Sequence, residues 1–185
     1  MAVEELQRGS REFFTSLLGR RGRTAYPFPM PVLDPLGFAA ALPDRGGLIG
    51  LDPGSKRIGV AASDPDRRLA SPVDVITRSK FSQDALHVWA LYDQRKSAGL
   101  VIGLPLNMDG SSGPSAQAAR AFARNLLALR DVPCLLWDER LTTAAVTREL
   151  IGLDMSRAKR SQRVDMHAAA YLLQGAIDRL REMSG

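Results

Sequence analysis

The chain has 185 residues, enough for one well-buried α/β core with sequence to spare. Its 25 Lys and Arg against 20 Asp and Glu give a net charge of +5 and a pI near 9.9, which favours polyanionic partners. A single cysteine, Cys134, excludes an internal disulfide framework. No apolar run approaches the roughly 20 residues needed to cross a bilayer, and the N-terminus lacks the charged-then-apolar pattern of a signal peptide. A reducing, cytoplasmic setting away from membranes is expected.

Residues 1–45 read as an N-terminal extension, partly helical or irregular. Glu4 to Leu18 can form a short amphipathic helix, followed by the basic cluster Arg20, Arg21 and Arg23. The prolines of Tyr26-Pro-Phe-Pro-Met-Pro and of Asp34-Pro then argue against regular structure, since each lacks an N–H and pushes its predecessor towards extended geometry.

Residues 46–185 form the expected domain. Leu48 to Asp52 is an apolar run ending in an acid. It turns on Pro53 and Gly54 and resumes as a second strand at Ile58 to Ala62. Asp64-Pro65-Asp66 makes the next turn, so Leu69 to Ile76 returns antiparallel, with Pro72 marking a sheet edge. From Ser82, Ala85, Val88, Trp89 and Tyr92 fall on one helical face. Gly99 to Leu104 is wholly apolar, as a buried parallel strand would be. The polar loop Pro105 to Gly113 leads into a helix with Pro114 in its first turn and Ala119, Phe122, Ala123, Leu126 and Leu127 as its stripe. Val132 to Trp137 is another strand, with Cys134 a buried small hydrophobe, and ends in Asp138-Glu139-Arg140. Thr142 or Thr143 can cap a helix to about Ile151, and Gly152 to Arg163 has the composition of a mobile loop. A long amphipathic helix runs from about Gln162 to Glu182.

Three strands, then helix and strand alternating, predict an α/β fold: a central mixed five-stranded sheet, three strands antiparallel and two parallel, flanked by helices. In such sheets the functional crevice lies beyond the carboxyl ends of the strands. Asp52 and Glu139 fall at strand ends. Asp165 shares a helical face with Ala168, Ala169, Leu172 and Ala176, where an ionised carboxylate needs a cation or donor. These three acids can converge into a cage of hard oxygens suited to Mg²⁺ or Mn²⁺. Two such ions about 4 Å apart support phosphodiester hydrolysis. Plainer alternatives fit the same residues: Asp52 capping its own hairpin turn, and Asp165 paired with Arg140 or Arg163.

Four segments together, Leu51-Asp-Pro-Gly-Ser-Lys-Arg-Ile-Gly-Val-Ala, Val101-Ile-Gly-Leu-Pro-Leu-Asn-Met-Asp-Gly, Asp138-Glu-Arg-Leu-Thr-Thr and Val164-Asp-x-x-Ala-Ala, resemble in order and spacing the YqgF family, also called RuvX. The resemblance spans about residues 46 to 182. It implies an RNase H-like fold and a metal-dependent nuclease that processes the 5′ end of pre-16S rRNA in ribosome biogenesis, with the first acid at Asp52, the second at Glu139 and the third at Asp165. Two positions depart from the related Holliday-junction resolvases: the strand Gly99 to Leu104 carries no acid, and Ala168 stands where a fourth would follow. Asp138, Asp109 and Asp64 are the substitute ligands to consider. Lys56, Arg57, Asn107, Arg140, Arg157, Lys159, Arg160 and Arg163 are the candidate nucleic-acid contacts, each also readable as a surface charge or turn former. The expected partner is a structured rRNA precursor or branched DNA, and the expected state a monomer or weak homodimer. Rival readings are a Holliday junction resolvase, a non-catalytic nucleic-acid-binding protein, and an actin-like or sugar-kinase ATPase, which would need a second comparable domain.

Overall fold

The computed structural model describes residues 32–138, 140 and 157–183, with 157–165 described by their backbone alone. Five strands, β1 (Leu48–Pro53), β2 (Arg57–Ser63), β3 (Ala70–Thr77), β4 (Gly99–Leu104) and β5 (Cys134–Asp138), form one sheet in the order β3-β2-β1-β4-β5. β1 pairs antiparallel with β2 and β2 with β3, whereas β4 runs parallel to both β1 and β5. This is the mixed, RNase H-like order that the sequence predicts. β4 is buried along its whole length, as a strand between two parallel partners with both faces covered must be. Pro72 lies on β3, which has a neighbour on one side only, and the register with β2 shifts beside it between Val60 and Ala61.

The helices among the described residues are α1 (Pro35–Ala41), α2 (Phe81–Gln94), α3 (Pro114–Leu129) and α4 (Arg157–Glu182). One face of the sheet is covered by α2 and α3, where Val88, Trp89, Phe122 and Leu126 close over Ile49, Leu51, Ile58, Leu100 and Ile102. The other is covered by α4 and α1, where Leu172, Leu173, Ala176, Ile177 and Phe38 close over Leu48, Val101, Leu135 and Trp137. Both tryptophans are therefore core residues. Cys134 is fully buried, and burial pushes its thiol up to about 12, which keeps it protonated and unreactive.

Two expectations are corrected. The prolines near residue 35 do not preclude a helix: Pro35 occupies the first turn of α1, where its missing N–H costs nothing, and the Asp34 Oδ1 accepts the Gly37 N–H at 2.7 Å as the cap. This segment is fastened to the domain, since the Leu33 N–H donates to the Cys134 carbonyl at 2.8 Å and Phe38 is fully buried. Similarly, 157–163 is helical rather than a loop. Arg, Ala, Lys and Gln are strong helix formers, so the residues before Val164 favour continuing α4. The predicted helices at 4–18 and 142–151 lie outside the described residues.

Candidate functional site

Successive residues of β1 point to opposite faces of the sheet. Ile49 and Leu51 face α2 and α3, whereas Leu48 belongs to the cluster under α4. The same alternation puts Gly50 and Asp52 on the α4 side, and at Gly50 the helix approaches the sheet closely: a Cβ there would lie 2.7 Å from the Leu173 Cβ and 3.2 Å from the Ala169 carbonyl oxygen. Gly50→Ala is therefore expected to force α4 outward, at an overpacking cost of about 1–3 kcal/mol. Its thermal midpoint should drop, and any activity that needs α4 in place should fall with it even where the protein remains folded.

The direction of α4 follows from Gln174. Its Oε1 accepts the Ala70 N–H at 2.8 Å and its Nε2 donates to the Arg68 carbonyl at 3.1 Å. Ala70 pairs with Ser63, beside the Ala62–Ile49 pair, so Gln174 sits near the amino end of β1. Ala169, further back along the helix, is already at Gly50. Each turn towards the N-terminus of α4 thus advances along β1 towards Asp52, and position 165 lies one turn before Ala169. Asp52 itself is half-buried, opposite Gly59 at the carboxyl end of β1. Glu139 and the Asp165 side chain lie outside the described residues. Among the described residues no three His, Cys, Asp or Glu side chains cluster as a metal centre.

Each of the substitute acids has hydrogen-bond partners of its own. Asp64 follows β2, at the end of the sheet remote from Asp52, and its carboxylate accepts the N–H groups of Asp66, Arg68 and Leu69, which hold it below the usual carboxylate range. Asp109 accepts from the N–H and Oγ of Ser111, which likewise lowers it. Asp138 ends β5 but shares its alternation with Cys134, on the α2–α3 face, opposite to Asp52. It also binds Arg140, whose Nε lies 3.1 Å from each carboxylate oxygen and whose Nη2 lies 2.7 Å from Oδ2. On the β4 strand between them, Gly103 extends the pairing of Leu51 with Ile102 to the level of Asp52, so that position offers no ligand.

The candidate contacts divide accordingly. Lys56 is exposed in the β1–β2 turn and Arg57, half-buried, opens β2. The Asn107 amide is spent on its own loop, donating to the Ser111 Oγ at 2.8 Å. Arg140 is held by Asp138 and reaches the Met108 carbonyl at 3.3 Å, tying the 105–113 loop to the end of β5. The side chains of Arg157, Lys159, Arg160 and Arg163 lie outside the described residues.

The guanidinium lowers the Asp138 carboxyl below its usual range. A depressed folded-state value stabilises the fold above the unfolded carboxyl range, about pH 4, and that contribution is lost as pH falls through the lowered value. The urea midpoint should accordingly fall less between about pH 4.5 and 2 in Asp138→Asn than in the parent. Parallel pH profiles would show the pair to be inert.

Two parallel strand ends and a helix crossing them at a glycine define an RNase H-like scaffold with an acid at the central strand's carboxyl end. The chain belongs to the RuvX family, described as Holliday junction resolvase, whose model matches residues 46–179. It is 59% identical over 152 residues, 82% of this chain and 94% of the relative, to a protein of Bradyrhizobium sp. (strain ORS 278) named "Putative pre-16S rRNA nuclease". Relatives with that name in Nitrobacter hamburgensis (59% identical, 82% and 93% covered) and Rhodopseudomonas palustris strain BisB5 (57% identical, 82% and 95% covered) match over the same length. Among solved structures, it is similar to T. thermophilus RuvC in complex with Holliday junction substrate (TM-score 0.46, 14% identity, 74% of this chain and 96% of that one). It is also similar to the yeast mitochondrial Holliday junction resolvase Ydc2 (TM-score 0.47, 10% identity, 81% and 85% covered).

Proposed function

We propose that this protein is a metal-dependent nuclease that hydrolyses phosphodiester bonds at the 5′ end of pre-16S rRNA in the cytoplasm. The observation that carries the reading is the placement of Asp52: it stands at the carboxyl end of the central strand, on the face crossed by α4, whose course from Ala169 towards its N-terminus leads to the same end. Asp52, Glu139 and Asp165 would hold Mg²⁺ or Mn²⁺, since an all-carboxylate donor set suits hard cations that keep some of their water. Such ions supply Lewis-acid charge to the scissile phosphate and its leaving oxygen.

The remaining work falls to the chain itself. Lys56, in the turn after Asp52, and Arg57, at the start of β2, would neutralise the substrate's phosphates. Arg157, Lys159, Arg160 and Arg163 lie on the part of α4 that leads towards the acids, so their positive charge would draw the polyanion there. Arg140, held by Asp138 and half-exposed, would shape the loop opposite and add a further cation for the phosphates.

Incubation of the purified protein with a 16S precursor should give Mn²⁺-dependent cleavage that is lost in Asp165→Asn. The family description favours a second substrate, a four-way DNA junction. Preferential cutting of the junction would replace the RNA assignment, and metal-independent binding of either without cleavage would leave a binding protein.

A further inference from the structure

We infer that Arg78 is a positioning residue that holds the turn following Asp52 in a single shape for the reacting phosphate, an inference that rests on the nuclease reading. In the turn, Gly54 to Lys56, the Gly54 N–H donates to the Asp52 carbonyl at 3.0 Å, and Ser55 and Lys56 are exposed. The turn is gripped from outside by the end of β3. The Arg78 N–H donates to the Lys56 carbonyl and its Nη1 to the Gly54 carbonyl, both at 3.0 Å, so one residue satisfies the acceptors at each end of the turn.

The guanidinium is itself held on two further sides. Its Nε lies 3.8 Å from the Oδ2 of Asp84 on α2, and its Cζ lies 5.5 Å from the centre of the Phe122 ring on α3. Among the described residues, Asp84 is the one charged side chain that is buried, at 2% exposure. It accepts the Ser79 N–H at 3.0 Å and Oγ at 3.1 Å, and a buried carboxylate strongly favours keeping a cation beside it. Asp84 therefore anchors Arg78, and Arg78 anchors the turn. Both helices on the far face of the sheet thereby set the shape of the loop beside Asp52. A planar fork that touches a carbonyl, a carboxylate and a ring at once cannot be replaced by an ammonium.

The test combines hydrogen exchange with kinetics on the full chain for Arg78→Ala, Arg78→Lys and Asp84→Asn. Exchange across residues 53–58 should accelerate at least about tenfold in Arg78→Ala while the amides of β4 hold their parent rates. Mn²⁺-dependent kcat should fall about 10–100-fold with KM within about threefold, because a turn displaced by a fraction of an ångström loses alignment rather than affinity. Arg78→Lys should recover only part of either effect, and Asp84→Asn should move both in the same direction. Unchanged exchange at 53–58 would overturn the inference, as would acceleration spread evenly over the whole sheet. A rise in KM at constant kcat would also overturn it, making Arg78 a phosphate contact. If the parent cuts no substrate, the nuclease reading fails, and the exchange result alone decides whether Arg78 orders the turn.

Discussion

Asp52→Asn should reduce metal-dependent cleavage at least about 10³-fold, equivalent to about 4 kcal/mol of transition-state stabilisation, while leaving the thermal midpoint almost unchanged. The two side chains are nearly isosteric, so the pairing of β1 with β2 survives. What is lost is the negative charge at the carboxyl end of β1. Asp52 is half-buried at the end of a strand and outside the apolar clusters, so a replacement of equal size opens no cavity in the core. Activity measured beside thermal melting separates a site residue from a structural one. Full activity in a well-folded Asp52→Asn would remove this carboxylate from the chemistry.

Phe38→Ala should have the opposite profile, costing about 3–5 kcal/mol of stability without altering the site. Phe38 is the buried residue of α1, and its ring is so close to the start of β4 that a Cβ on Gly99 would approach it to 3.1 Å. Gly99 pairs with Leu48, so the cavity would open at the amino end of the parallel strands, four residues along β1 from Asp52. In a domain of this size the thermal midpoint should fall by about 6–20 °C, while kcat of the folded fraction stays at the parent level. A small shift in the midpoint would mean that α1 contributes little to the domain, and that residues from 46 onwards stand alone.

The sheet was legible because its strands are short apolar runs with turn residues between them. Asp52 and Asp138 were visible as strand-ending acids, and Pro72 as an edge marker. What periodicity could not supply was the face on which an acid sits: Asp138 is separated from Asp52 only by counting the alternation of β5 from Cys134. α1 was obscured because a proline that breaks a helix in its interior is favoured in its first turn. The first turns of α4 were obscured because they carry no apolar stripe. Arg78 is one of two basic residues just beyond a strand, and only the antiparallel register of β2 and β3 reveals that it reaches Gly54 and Lys56.

Whether the three acids share an ion can be tested directly by anomalous diffraction from crystals soaked in Mn²⁺, with Asp52→Asn and Asp165→Asn crystals as controls. Manganese is expected in coordination contact with Asp52, Glu139 and Asp165, and its peak should weaken or vanish in each variant. A peak elsewhere, or one that both substitutions leave intact, would contradict the assignment.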